Sequence, residues 1–125
     1  FLGGSGSDFG HGVAVDPTGN VYIAGTTASV NLPTTVGAFQ FAAPPNLNGF
    51  VAKYNNAGVK QWATYLGGAG DDSLLDVAVD ITGSPYVTGW TTNPSYPTTA
   101  VFGIGGPYFT VLTKFNTNGG MVYSD

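Results

Sequence analysis

The sequence predicts an all-β fold made of two similar four-stranded antiparallel units, and three observations predict it. The chain repeats itself: LGGSGSDFGHGVAVDPTGNVYIAGTT begins at Leu2 and LGGAGDDSLLDVAVDITGSPYVTGWTT at Leu66, so that Leu2 and Leu66, Asp16 and Asp80, Gly25 and Gly89, and Pro33 and Pro97 all stand 64 positions apart. Its apolar residues fall in short runs rich in β-branched and aromatic side chains, bounded by Gly, Pro, Asn and Asp, which is the pattern of strands and turns. No segment sustains a 3.6-residue period with capping signals, so no long helix is expected.

The segments FVAKYNNAGVKQWATY, from Phe50, and VLTKFNTNGGMVYSD, from Val111, also match, 61 positions apart after a three-residue deletion. A long fixed period marks a repeat architecture, in which one unit cannot bury its own apolar faces. It divides the chain into a first repeat over 1–65 and a second over 66–125, together one structural unit; a length of 125 residues suits a single domain. The phase of the repeat is informative too. Ala63-Thr64-Tyr65-Leu66-Gly67-Gly68 aligns with Ser124-Asp125 followed by Phe1-Leu2-Gly3-Gly4. The expectation is two whole units cut inside one strand, either adjoining further copies in an assembly or excerpted from a longer array. Phe1, Leu2, Tyr123 and Asp125 are therefore the residues expected at a copy-to-copy junction, with Phe1 packed in the manner of Tyr65.

In chain order, the expected strands of the first unit are Gly12–Asp16, Asn20–Thr26, Phe50–Asn55 and Lys60–Leu66; those of the second are Asp76–Asp80, Pro85–Trp90, Thr110–Asn116 and Met121–Asp125. Asp16-Pro17-Thr18-Gly19-Asn20 and Asp80-Ile81-Thr82-Gly83-Ser84 connect the first two strands of each unit. The Asp side chain can start such a turn and the Gly supplies positive φ. Asn55-Asn56-Ala57-Gly58 and Asn116-Thr117-Asn118-Gly119 connect the last two in the same way. Between the second and third strands lie long loops, about Thr27–Gly49 and Thr91–Phe109, rich in Pro, Thr and aromatics. Loops of this length in compact domains serve as packed binding or interface elements.

Runs such as VAV, VYIA and VLT are apolar on successive residues, where a strand with one wet face would alternate. A small sheet covered on both faces by its own repeats is a β-propeller blade. The strand pair with its loop and return, LGGSGSDFGHGVAVDPTGNVYIAGTT, LPTTVGAFQ, FVAKYN and QWATYLGGAGDD, resembles the SBBP-type β-propeller repeat, which is similar to NHL propellers in its AVD…GN-[VI]-Y pair. The second unit departs from the first at Pro85 and at AVFGIGGPYF. The resemblance implies two four-stranded antiparallel β-propeller blades, part of a larger propeller or propeller-like assembly, and an extracellular setting; it implies no catalytic residues. Closed propellers have about four to eight blades, so two must be completed by others. Identical chains meeting head to tail give a ring if the rotation closes and a filament if it does not.

Composition excludes several functions. Only 8% of residues are charged: seven Asp against Lys53, Lys60 and Lys114, with neither Arg nor Glu. Nothing can neutralise a row of phosphates, so nucleic-acid binding is not expected. The absence of Cys removes disulfides, thiolate chemistry and Cys-metal sites. No apolar run reaches the roughly 18 residues of a membrane span, so no membrane insertion is expected. A polar surface of Thr, Ser, Asn and Gly points to an extracellular or cell-surface protein.

The candidate chemistry is sparse. GGSGSD (Gly3–Asp8) and GGAGDD (Gly67–Asp72) match part of a calcium-binding nonapeptide, in which Gly admits the backbone and carboxylates ligate the ion. Asp8, Asp71 and Asp72 are the calcium candidates on that reading. The nine-residue repetition is missing, however, and the plainer reading is a Gly-rich connection with Asp8 and Asp72 capping backbone N–H groups as solvated turn residues; no cofactor is expected. His11 is the only His, its counterpart is Leu75, and no nucleophile motif accompanies it, so no enzyme is expected. Trp90, at a loop edge in place of Thr26, is the leading candidate for contact with a ligand or partner, with Tyr96 and Phe39 beside it in the loops. The expected function is an extracellular structural protein that self-assembles with copies of itself; the alternative is a module binding glycans or cell-surface components through the loops.

Overall fold

The computed structural model describes residues 1–99 and 106–125, and within them every regular element is a strand. They are β1 (Asp8–Val15), β2 (Val21–Thr27), β3 (Asn48–Tyr54), β4 (Lys60–Leu66), β5 (Asp72–Val79), β6 (Pro85–Thr91), β7 (Phe109–Phe115) and β8 (Met121–Ser124). They form two antiparallel sheets, β1-β2-β3-β4 and β5-β6-β7-β8, each a meander of neighbours in sequence.

The repeat is structural as well as textual. Val15 pairs with Val21 as Val79 does with Pro85, Gly10 with Gly25 as Leu74 does with Gly89, and Tyr22 with Lys53 as Tyr86 does with Lys114. The equivalence extends into the loops, where the Thr35 N–H donates to the Ala63 carbonyl and the Thr99 N–H to that of Ser124. The four tight turns follow their sequence signals, with Gly19, Gly58, Gly83 and Gly119 at φ of 84°, 77°, 76° and 84°. Asp16 Oδ1 accepts from the N–H of Thr18 and of Asn20, and Asp80 Oδ1 from that of Thr82 and of Ser84.

One expectation about boundaries is corrected. The first strand of each sheet begins four residues before the expected Gly12 and Asp76, because chain that reads as a Gly-rich turn already pairs: Asp8 to Gly10 lie opposite Thr27 to Gly25, and Asp72 to Leu74 opposite Thr91 to Gly89. The pairing then shifts across a bulge at His11 and at Leu75, the equivalent positions where each strand carries one extra residue. β4 runs over Lys60–Leu66, the bounds expected for it. Part of the second long loop, residues 100–105, lies outside the described residues.

The sheets stack face to face. Tyr22, Ala24, Val51, Trp62 and Leu66 of the first sheet share one buried cluster with Leu74, Val77, Val87, Val111 and Phe115 of the second, closed by Tyr96 from the second loop. Gly12 makes this approach possible at the innermost strands, since a Cβ there would lie 2.8 Å from the Cα of Asp76. A smaller cluster of Leu32, Phe50 and Tyr65 sits on the first sheet, with Leu2, Ile23 and Ala43 against it. Each sheet therefore has one face in the shared core and one turned away from it.

Candidate functional site: the joint between the sheets and its open counterparts

The joint is fastened by polar side chains of the first sheet that reach the turns of the second. The Tyr22 hydroxyl lies 2.8 Å from the Gly83 carbonyl and 3.2 Å from Asp16 Oδ2. Burial, with the nearby Asp16, pushes this phenol up to about 12. Lys53 Nζ donates to the Thr117 carbonyl at 3.1 Å and to Thr117 Oγ1 at 2.7 Å, while lying 5.2 Å from the Tyr22 ring centre. Trp62 Nε1 donates to the same carbonyl at 3.0 Å. The indole lies 6.1 Å from the Phe115 ring and edge-on to Tyr22. Gly119 must be glycine here, because a Cβ would stand 2.8 Å from the Trp62 ring. Nearer the inner strand, Thr26 Oγ1 and Ser73 Oγ share a 2.5 Å hydrogen bond across the joint.

In the second sheet the equivalent groups face outward and turn on one another. Lys114 Nζ is 2.6 Å from the Tyr86 hydroxyl, 3.4 Å from Asp80 Oδ2 and 4.6 Å from the Tyr86 ring centre. The Tyr86 hydroxyl, helped by Asp80, raises the Lys114 ammonium above its ordinary range. Tyr123 occupies the position of Trp62, opposite Lys114 as Trp62 is opposite Lys53. The equivalence of Lys53 and Lys114 is legible in the repeat; that each lies opposite a Tyr is not, because it depends on the register of the strands.

A cleft of about 280 Å³ opens along the joint, lined by Asn20, Thr35, Lys53, Gln61, Trp62 and Asn118 among others. On the opposite face of the first sheet a hollow of about 420 Å³ is lined by Val21, Ile23, Tyr54, Asn56 and Gly58, with Phe1 and Leu2 at its side.

The expected site residues separate. Asp8 accepts from the Gly4 N–H, from Ser29 Oγ and, in a short contact, from Thr27 Oγ1. Burial pushes its carboxyl up, but these bonds outweigh it and hold it below the ordinary range. Asp71 is exposed, and its Oδ1 accepts from the Leu47 N–H. Asp72 caps the Gly68 N–H at 2.7 Å, yet it is not the solvated turn residue expected. It is fully buried, Oδ1 has no partner, and burial raises its carboxyl above the ordinary range. Asn48 Oδ1 is buried without a partner as well, and a Cβ on Gly67 would lie 2.5 Å both from it and from Asp72 Oδ2. Asp8 and Asp72 belong to different sheets, and among the described residues no three His, Cys, Asp or Glu side chains gather as a metal site.

His11 is exposed at its bulge, with Nε2 3.0 Å from Thr26 Oγ1. Trp90 is half-buried and edge-on to Tyr108 at 5.3 Å. Phe39 reaches across the joint to lie edge-on to Phe115 at 6.1 Å. Tyr96 corrects its expectation: it is a core side chain, 3% exposed, because its loop folds back over β7 and sets the hydroxyl near Thr113 Oγ1. Phe1 is fully exposed, Leu2 packs on the Leu32 cluster, and Asp125 continues the β7–β8 ladder through paired backbone bonds with Leu112.

Compared with known sequences, residues 2–33 and 61–97 match a family model described as a beta-propeller repeat, SBBP. No curated protein matches the chain.

Proposed function

This chain belongs to the SBBP beta-propeller repeat family, and we propose from that premise that it is a non-enzymatic, extracellular structural unit whose two blades assemble head to tail with further copies into a ring or filament. The observation that carries the proposal is that the outward face of the first blade is apolar, while that of the second sets Leu112 among Tyr86, Lys114 and Tyr123. Val13 and Val15 are 66% and 60% exposed on the first blade, and Leu112 44% on the second. Val13 and Val15 stand two apart on β1 and so share one sheet face, and apolar surface left open on a sheet face suits an interface. The sparse charge supports the same reading, since only 8% of residues are charged and few ions lose water when two faces meet. A non-catalytic role is supported by Asp8, His11 and Asp72 Oδ2, each engaged by a neighbouring backbone or hydroxyl group. The uncharged Thr, Ser and Asn surface supports an extracellular or cell-surface setting. The test is the mass of the native particle by light scattering over a range of concentrations. Multiples of the single chain are expected; a monodisperse particle of 12.8 kDa with cooperative unfolding overturns the proposal.

The second reading, a glycan-binding module, is favoured by the cleft along the joint, where Asn20, Gln61 and Asn118 gather beside Trp62 and the long loop contributes Thr35. Quenching or enhancement of Trp62 fluorescence by oligosaccharides, lost in Trp62→Phe, is its test.

A further inference from the structure

We infer that the joint between copies repeats the joint within the chain, with Tyr86, Lys114 and Tyr123 of one copy closing on the Tyr54–Asn56–Gly58 hollow of the next. This rests on the reading of the chain as a self-assembling unit and adds which groups meet. The internal joint supplies the template. Its donors are Tyr22, Lys53 and Trp62, and its seat is the Gly83 carbonyl, Thr117, Gly119 and the Phe115 ring. By the repeat, the donors correspond to Tyr86, Lys114 and Tyr123, which face outward on the second blade. The seat corresponds to Gly19, Asn56, Gly58 and Tyr54, and the last three line the 420 Å³ hollow on the outward face of the first blade. Donor set and seat thus occur once joined to each other and once unjoined, at opposite ends of the same molecule. A second copy is the occupant whose surface carries both halves.

Two details extend the match. Leu2 lies against Leu32 and Phe50 as Leu66 lies in the cluster with Tyr96 and Val111, their repeat counterparts. Farther in, Gly49 leaves room for Leu74, whose side chain would be 2.7 Å from a Cβ there. In the joint between copies that pair becomes Thr110 against Gly10, with the larger side chain now on the other partner. At the innermost strand the template is looser. Asp76 stands where Gly12 gives the backbones their close approach, so neighbouring copies stand further apart there than β1 and β5 do. The outer strands, with Lys114 leaving Asp80 for the Asn56 carbonyl, therefore fix the register.

The chain has no Cys, so engineered pairs report register without background. Thr110→Cys with Gly10→Cys, both at open positions, is expected to give a ladder of disulfide-linked multiples on mild oxidation. Thr110→Cys with Val36→Cys, exposed but unmatched, is the control and is expected to give none. Lys114→Met with Tyr86→Phe is expected to weaken assembly by about tenfold or more, the effect of two lost hydrogen bonds, one of them charged. Tyr123→Trp, which installs the donor of Trp62, is expected to strengthen it. Circular dichroism confirms that each variant is folded. Assembly of the parent chain without the matched ladder, and indifferent to Lys114→Met with Tyr86→Phe, overturns this register alone. A parent chain that never assembles overturns the functional reading with it.

Discussion

Two aspartates at the same place in two repeats can carry opposite energetics. Asp8 is surrounded by donors: the Gly4 N–H and the hydroxyls of Thr27 and Ser29. In the second blade the position of Ser29 is taken by Asn93, and Thr91 Oγ1 lies 3.2 Å from the Asn93 carbonyl, so Asp72 keeps the Gly68 N–H but has an orphaned Oδ1. Its carboxyl is raised by burial; the cost of ionising it is therefore fully present at neutral pH and disappears as pH falls below the unfolded-state value. Asp72→Asn, whose amide can also serve Asn48 Oδ1, is expected to stabilise the fold by about 1–3 kcal/mol at pH 7. That gain shrinks on acidification, as denaturant unfolding at both pH values will measure. Asp16 has the other sign. Burial pushes its carboxyl up, but bonds from Asn20 and Thr18 prevail and depress it, so its stabilisation is complete above about pH 4 and is lost as pH falls further. Asp16→Asn is expected to lower stability at pH 7 and to flatten the acid limb of the unfolding midpoint against pH. The capping role of Asp8 and Asp72 was legible in the sequence, because Asp after a Gly-rich run is a turn signal. The orphaned oxygen was not, since it depends on where the Thr91 hydroxyl turns once Asn93 stands in the place of Ser29.

Strands were legible wherever a turn residue with a forced conformation bounded them. β2, β4, β6 and β8 begin where the Gly-containing turns end, as the sequence indicates. β1 and β5 were only half legible, because glycine weakens the strand signal while the pairing partner that makes a strand of Asp8–Gly10 lies on β2. Glycines on the partner strands allow the bulged edge to pair closely. A Cβ on Gly25 would lie 2.0 Å from the Phe9 carbonyl oxygen, and one on Gly89 1.9 Å from that of Ser73. Gly89→Ala must push β5 from β6 next to the bulge. A loss of about 2–3 kcal/mol, at the upper end of overpacking effects, is expected in thermal or denaturant unfolding. Ala78→Gly, on the neighbouring strand β5 and away from the bulge, is expected to cost no more than about 1 kcal/mol. Tyr96 was misjudged at this scale, since its loop reads as exposed Pro- and Thr-rich chain until the fold returns it to the core.

At the scale of the molecule, the two-blade architecture was legible because the repeat is written in the residues that turn, pair and pack. The identity of the joint was not, because Lys53 and Trp62 find their partners 64 and 55 residues away, in a turn whose own sequence signals only a turn. The physical character of that joint decides how an assembly built from copies of it responds to solvent. It is closed by aromatic and aliphatic contacts and by hydrogen bonds to carbonyls, and the ion pair Lys114–Asp80 forms within one blade rather than between blades. Surface charge pairs are screened within about 3 Å at 1 M salt, whereas apolar burial is strengthened by excluded salts such as sulfate and weakened by urea. Head-to-tail particles are therefore expected to keep or increase their mass in sodium chloride and sodium sulfate, to fall apart progressively in urea, and to be unaffected by a calcium chelator. Light scattering across these four series measures all of it. Dissociation in sodium chloride alone would show that attraction between charges holds the copies together, and dissociation on chelation would return Asp8, Asp71 and Asp72 to the position of ligands; either result contradicts a joint built on the internal template.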